Sequence, residues 1–447
     1  MSNKVAFNPE YPVIDKSNDL YGRANGLIPC FSQTLAKGPT QYVNGVAPKY
    51  LVRGKGSHVW DVDGNEYLDY NMGIGPISLG YAYPAVDEAI RRQLADGITF
   101  SLMHPLEVEV AEIIREIIPN AGSVRYGKSG AEITSAAIRI ARAYTGKNKV
   151  LCCGYHGWHD WYVSTIARNA GIPQCVKDLT YTFSYNDIDS LTRSIDDDVA
   201  AVILEPVVFE QPKDSFLQKV ADVCHARGIL LIFDEMWTGF RMALGGAQEY
   251  FGISADMATF SKAMANGMPI SVLTGKREIM KVLEDEVFFF STFGGEALSL
   301  AAVKATIGEM KDKDVLSAIS VKGEILREGY NVIAMKLGLD YTRAVGYNFR
   351  SMVTFDEKTG NPLALKSFVQ QELIKRGILW SGIHNVCYSH SMADIEYTLS
   401  AYREVLSELK EAVRDNTVLK QLRGIPVQPT FRKTSEFNTK PKPRPSK

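Results

Sequence analysis

Five consecutive apolar residues, 229–233, end abruptly in Asp234-Glu235. A run of that length without a polar interruption suits a strand buried on both faces of a parallel sheet. A second run, 257–260, ends in Ser261-Lys262. Further short strand-like segments stand at 124–126, 149–153, 200–204 and 270–273. Helical spacing fills the stretch up to Tyr144 and residues 216–227, and earlier 84–96 (Val86, Ile90, Leu94) and 106–118. Strand alternating with helix predicts a mostly parallel sheet with helices on both faces. Further helices are expected at 298–310 and 316–337. After residue 340 the texture changes to a strand-like run at 351–355, a helix at 365–376 and an amphipathic helix at 392–413.

Near the N-terminus an alternating stretch, Trp60 to Asp69, turns on Asp63-Gly64-Asn65 and reads as a hairpin or small meander. Residues before 50 are rich in Pro, Gly and Asn and read as an extended arm with one helix near Tyr21. The expected organisation is an arm with part of a small domain over 1–70, a large domain over 71–325, and the rest of the small domain over 326–438. The basic, proline-rich end, 439–447, cannot bury apolar area and is expected to be flexible.

Composition narrows the classes. A hydrophobic share of 45% and a charged share of 23% are globular values. A net charge of −1 gives no general attraction to nucleic acid or to a membrane surface. The six cysteines form no CxxC pair and several lie in apolar runs, so reduced thiols in a cytoplasmic protein are expected. The first twenty residues lack the apolar core of a signal peptide, and no apolar run is long enough for a membrane span.

The candidate chemistry begins with Asp234 and Lys262. Ligands of open α/β sheets bind beyond the carboxyl ends of the strands. A buried carboxylate there is costly unless it meets a cation. A lysine is a nucleophile only as its neutral amine. Pyridoxal 5'-phosphate answers both needs: its protonated ring nitrogen pairs with the acid, and its aldehyde condenses with the lysine. Taken singly, either residue reads as a solvated charge at a loop start. Ser129-Gly130-Ala131-Glu132 follows a short strand and opens a helix. Ser129 with Glu132 is a capping box. The N–H groups behind it suit a phosphate, and equally an ordinary capped helix. His156 and His159 have only Asp160 as a further ligand nearby, so a metal site is the weaker reading.

Taken together, Phe233-Asp234-Glu235, Thr238-Gly239-Phe240-Arg241, Leu244-Gly245-Gly246-Ala247-Gln248 and Ser261-Lys262 resemble the class III (subgroup II) pyridoxal-phosphate-dependent aminotransferases. The glutamate-1-semialdehyde aminomutase-like branch is the most similar. The resemblance runs from about Asn25 to Val413. It implies an α/β fold of the pyridoxal-phosphate fold type I, with a large, mostly parallel domain and a smaller α+β domain built from both chain ends. It also implies a transaminase acting as a homodimer with shared active sites. Lys262, Asp234 and Tyr155 take the catalytic positions. Ser129, Gly130 and Ala131 take the cofactor phosphate, with Ala131 standing where relatives carry a hydroxyl. Tyr155 lies against the cofactor ring, His156 backs Asp234, Glu205 matches the family's Glu-Pro motif, and Thr292 reaches the phosphate of the partner subunit.

The chain also departs from that pattern. Phe209-Glu210 replaces a Gly-Asn pair, and Glu210 reads either as facing cofactor or substrate, or as a solvated loop acid. Lys37 stands where the aminomutases offer an arginine to the substrate carboxylate, and Ile74 where they carry a tryptophan. Lysine and arginine hold a carboxylate differently. The reading therefore favours transfer from an amino-acid donor to a separate aldehyde or ketone, sugar-like or phosphorylated, over intramolecular aminomutase chemistry. Lys37, Lys128, Arg241 and Arg350 are the candidate anion contacts. A nicotinamide dehydrogenase would need a glycine fingerprint that is absent. A cofactor-binding protein without catalysis stays open.

Overall fold

A computed structural model describes residues 10–429. The tail expected at 439–447 lies outside the described residues. Two compact units emerge: one runs to Tyr83 and resumes at Lys313, and the other spans Pro84–Asp312.

The first unit opens with a helix, Asp15–Ala24, where one is expected near Tyr21. Three strands follow: β1 (Leu51–Lys55), β2 (His58–Asp61) and β3 (Glu66–Asp69), paired antiparallel in sequence order. The Asp61 carboxylate closes the expected turn by accepting from the backbone N–H groups of Asp63 (3.0 Å) and Asn65 (2.8 Å).

The second unit is built on seven strands: β4 (Ser123–Gly127), β5 (Lys149–Cys153), β6 (Thr180–Thr182), β7 (Val199–Leu204), β8 (Leu230–Asp234), β9 (Met257–Phe260) and β10 (Ser271–Gly275). Their spatial order is β4-β10-β9-β8-β7-β5-β6. All neighbours are parallel except β10, which runs antiparallel to both β4 and β9. Every residue of β7, β8 and β9 is buried. The helix Gly130–Thr145 explains part of that burial. Its Ile133, Ala137, Ile140 and Ala141 share one core with Ile203 of β7, Ile232 of β8 and Leu273 of β10. Each isoleucine or leucine among them contributes about 1.5–3 kcal/mol by leaving water, and each alanine less. The helix starts on the Ser129–Glu132 capping box and stops at Gly146, whose φ of 68° few other residues adopt without strain.

Helices stand at Pro84–Asp96, Pro105–Ile117, Phe216–Ala226, Ala297–Asp312, Val315–Leu337, Pro362–Lys375 and Met392–Arg414, each within a few residues of its expected bounds. The first unit closes with β11 (Thr342–Tyr347), β12 (Arg350–Phe355), β13 (Ile378–Leu379) and β14 (Ile383–Asn385). β11, β12 and β14 form a three-stranded antiparallel sheet. β13 joins β3 in parallel, so both chain ends build one four-stranded sheet.

The units divide at 83/84 and 312/313, against expected boundaries at 70/71 and 325/326. The glycine-rich segment after Asp69 stays with the first unit because Tyr388 N donates to Ser78 O (2.8 Å) and Ser389 N to Leu79 O (3.1 Å). The helix Val315–Leu337 does likewise by packing on β11 and on Met392–Arg414. Among the described residues no helix is long and apolar enough to cross a membrane.

Candidate active site

Topology brings the candidate residues to one edge of the seven-stranded sheet. β5, β7, β8 and β9 run parallel, so Tyr155-His156, Glu205, Asp234 and Lys262 all lie at or just past their carboxyl ends. β10 reverses twice, which turns β4 the same way and puts Ser129-Gly130 at that edge too. Such an edge is where open α/β sheets bind ligands.

Asp234 is 2% exposed and closes β8. Its Oδ2 lies 2.7 Å from His156 Nδ1, and its Oδ1 accepts from Met236 N (3.2 Å) and Thr259 Oγ1 (3.4 Å). His156 is held in turn by Thr134, whose hydroxyl donates to the His156 carbonyl at 2.8 Å. The imidazole packs beside the Trp161 ring, with centroids 6.1 Å apart. Its Nε2 is buried without a partner among the described residues.

Glu205, buried at the end of β7, accepts from Tyr155 N at 2.9 Å. Burial, and then the charge of Asp234, push its carboxyl above the ordinary range, while His156 and Lys262 pull the other way. Glu205 thus feels the charges of three neighbouring groups. Glu235, also buried, lies behind this cluster. Burial raises its carboxyl to about 7, although it accepts from the Thr238 hydroxyl and from Ala247 N (2.8 Å) and Gln248 N (3.0 Å).

Lys262 starts a short 3-10 turn, Lys262–Ala265, with φ at 43°. Its ammonium lies over the Trp237 ring, 3.7 Å from the centroid. Tyr155 keeps 42% of its surface exposed, with its ring edge-on to Tyr162. At the helix start, Gly130 N and Ala131 N take no acceptor among the described residues. Gly157, at φ 102°, crosses close above them: a Cβ there would lie 2.6 Å from Ala131 Cβ.

The substrate candidates are scattered. Lys128 bonds Glu296 (2.6 Å), Pro269 O (2.9 Å) and Ser299 Oγ (3.1 Å), so its three donors are all met within the protein. Glu210 pairs with Lys213 on an exposed loop. Lys37 is exposed and lines a cavity of about 480 Å3 in the first unit, with Tyr42, Asp69 and Ile74. Arg241 and Arg350 are both buried. Thr292 sits in an exposed turn beside Phe293. His159 pairs with Ser135 instead of sharing a ligand with His156, and no metal-holding cluster occurs among the described residues. Sequence reasoning passed over Trp237 and Thr259. Trp237 lies inside the Asp-Glu…Thr-Gly motif, where its aromatic identity is the one available signal.

Comparison with known proteins gives this site its class. Residues 42–413 match the model of the class-III aminotransferase family. The chain is 36% identical over 409 residues to the 3-aminobutyryl-CoA aminotransferase of Cloacimonas acidaminovorans, covering 89% of this chain and 98% of that protein. It is 33% identical over 428 residues to the glutamate-1-semialdehyde 2,1-aminomutase of Methanosarcina acetivorans, covering 88% and 99%. Among solved structures, the FumI protein of a Sphingopyxis species, in its PLP internal aldimine form, superposes with a TM-score of 0.83 at 26% identity, covering 91% and 98%. The chain belongs to the class-III aminotransferase family, and its large mixed sheet is that of the fold type I enzymes.

Proposed function

We propose that the protein moves an amino group from an amino-acid donor to a separate aldehyde or ketone, sugar-like or phosphorylated, using pyridoxal 5'-phosphate. The observation that carries this reading is the convergence of Asp234, His156, Glu205 and Lys262 beside an open helix start. These residues fit that cofactor. Asp234 offers a buried acceptor braced by His156, Lys262 offers an amine, and Gly130 N and Ala131 N offer donors at a positive helix end. The backbone at Gly157 closes over them in space that any side chain would fill.

When bound, the cofactor supplies a ring that takes up electron density as the substrate carbon loses its proton. Asp234 holds the ring nitrogen in its protonated form. His156 fixes the second oxygen of Asp234, so the carboxylate cannot rotate away. Tyr155 offers its exposed face for stacking and excludes water on that side. Lys262 Nζ takes the proton from the substrate carbon as a base and returns it one atom away as an acid.

Two copies of the chain are proposed to share their sites, with Thr292 reaching the phosphate of the partner copy. Phe288, Phe290 and Phe293 near it are 77%, 71% and 57% exposed, and a covering copy would gain about 1.5–3 kcal/mol for each one buried. Buried free thiols at Cys152, Cys153, Cys224 and Cys387 support a reducing, cytoplasmic setting. The Cloacimonas relative's name supports transfer between separate molecules. Intramolecular transfer, named for the Methanosarcina relative, is the second reading. Lys37 and Ile74 weigh against it.

The test starts with purified protein loaded with pyridoxal phosphate, reduced with borohydride and mapped by mass spectrometry. The adduct is expected on Lys262, and an adduct elsewhere overturns the reading. Amino donors should then bleach the yellow absorbance band and oxo acceptors should restore it. A band that no donor bleaches marks a binding protein without catalysis.

A further inference from the structure

Trp237 stands in a turn that the fold holds firmly. Glu235 N donates to Thr259 O at 2.9 Å, and Gly239 N to Glu235 O at 2.9 Å. The Glu235 carboxylate pins Thr238, Ala247 and Gln248 from behind. The indole is half-buried and lies outside the aliphatic core that takes in its neighbour Met236. Lys262 arrives from the adjacent strand end with its backbone in the left-handed region, followed by the buried residues Ala263, Met264 and Ala265. A non-glycine residue keeps that conformation only when its surroundings enforce it. Both partners are therefore placed by backbone, and the ammonium lies 3.7 Å from the indole centroid, well inside cation–π range.

We propose that the face of Trp237 is the docking place of the Lys262 ammonium whenever that amine is not covalently engaged, which makes Trp237 a positioning residue between the two proton transfers. The proposal rests on the reading of Lys262 as the proton-carrying amine. In the first transfer the neutral amine forms an N–H bond as the substrate C–H bond breaks, and the electron pair of that bond stays on the carbon side. In the second the ammonium gives the proton back and is neutral again. Between them a full positive charge needs a neighbour that stabilises it without taking the proton. An aromatic face does so, because its quadrupole attracts a cation and it has no basic lone pair. An ionised carboxylate in the same place would compete for the proton. Glu205, which feels the charge of Lys262, is pushed towards its neutral form by burial and by Asp234.

The test compares wild type, Trp237→Phe and Trp237→Leu in the full chain. In cofactor-free protein, the rate at which Lys262 is trinitrophenylated is followed across pH by peptide mass spectrometry. Only the neutral amine reacts, so the midpoint reports its proton. Trp237→Leu is expected to move the midpoint to lower pH and to speed labelling below it by roughly three- to tenfold. Trp237→Phe should fall between the two, since a smaller ring keeps part of the attraction. The emission difference between wild type and Trp237→Phe should titrate at the wild-type midpoint. In loaded enzyme, the pH profile of kcat should follow the same order with KM little changed. Equal midpoints in all three proteins overturn the proposal, as does a Phe variant that behaves like Leu. Should Trp237→Leu not fold, an emission difference without a midpoint overturns it alone. If borohydride traps the cofactor on Lys262 while the midpoints coincide, only the role of Trp237 falls. If the midpoints move and no adduct forms, the cofactor reading falls instead.

Discussion

His156 Nδ1 and Asp234 Oδ2 lie 2.7 Å apart with both side chains sealed from water. The two residues are 78 positions apart in sequence and meet because β5 and β8 flank β7 in a parallel register. Met236 N and the Thr259 hydroxyl hold the other carboxylate oxygen, so Asp234 is braced on both sides. A carboxylate so fixed can accept from a cationic ring nitrogen without reorganising.

Changing either residue should separate charge from positioning. Asp234→Asn removes the charge that keeps a ring nitrogen protonated, and kcat is expected to fall by at least about a hundredfold. His156→Leu leaves the charge but frees the carboxylate. Losing a hydrogen bond to a charged group is worth about 1.5–3 kcal/mol, or on the order of ten- to a hundredfold in rate. The check is kcat together with the amount of cofactor retained. A His156→Leu enzyme that loses more rate than Asp234→Asn would contradict this ordering.

Glu235 makes stability depend on pH. Burial raises its carboxyl from an ordinary 4.5 to about 7, so the folded state holds the proton more tightly than the unfolded chain. Its contribution is complete below about pH 4.5 and is lost as pH rises towards 7, beyond which the group adds no further slope. The loss amounts to about 3 kcal/mol. Glu235→Gln keeps an acceptor and cannot ionise, so its Tm relative to wild type should improve as pH is raised from 5 to 7. A difference that stays flat across that window would remove Glu235 as the cause.

Lys128 separates a clamp from a substrate contact. Its ammonium ties β4 to Pro269, Glu296 and Ser299, and Glu296 in turn accepts from Leu298 N (2.8 Å) and Ser299 N (3.0 Å) at the start of the helix Ala297–Asp312. Lys128→Met leaves a largely buried carboxylate and a carbonyl short of donors, at a cost of about 1–3 kcal/mol. Thermal unfolding should show that loss, and KM for donor and acceptor should stay within about twofold of wild type. A KM raised tenfold at unchanged stability would restore Lys128 to the substrate.

Much of this architecture is legible in the sequence, because apolar runs that stop at a charge mark buried strands and their ends. Residues 229–233 followed by Asp234 show this, and the Ser129–Glu132 box likewise marks the start of the helix after β4. Lateral order is not legible. Nothing local says that β10 inserts antiparallel between β4 and β9, or that the two-residue β13 pairs with β3. The edge strand β6 is too short to show a period. Charged side chains are hidden for the same reason. Lys128 beside a glycine-rich helix start invites a phosphate, yet its acceptors come from more than a hundred positions away. Trp237 is silent because a tryptophan's neighbour is chosen by the fold, and Lys262 approaches it from another strand.

Ala131 offers a test by gain. The resembling family carries a hydroxyl after the helix-opening glycine, and here that place is a methyl, 93% buried under Gly157. Backbone N–H groups of Gly130 and Ala131, with the helix dipole behind them, are then the main donors left for a phosphate. Ala131→Ser adds one donor at a cost of a single atom. A neutral hydrogen bond contributes about 0.5–1.5 kcal/mol, so cofactor affinity should tighten by roughly two- to tenfold. Gly157→Ala works in the opposite sense: its Cβ would meet Ala131 Cβ at 2.6 Å from a backbone at φ 102°, so it should weaken the cofactor and lower Tm together. Titration of cofactor-free protein with pyridoxal phosphate measures both. If Ala131→Ser binds no more tightly while folding normally, the phosphate lies away from this helix start.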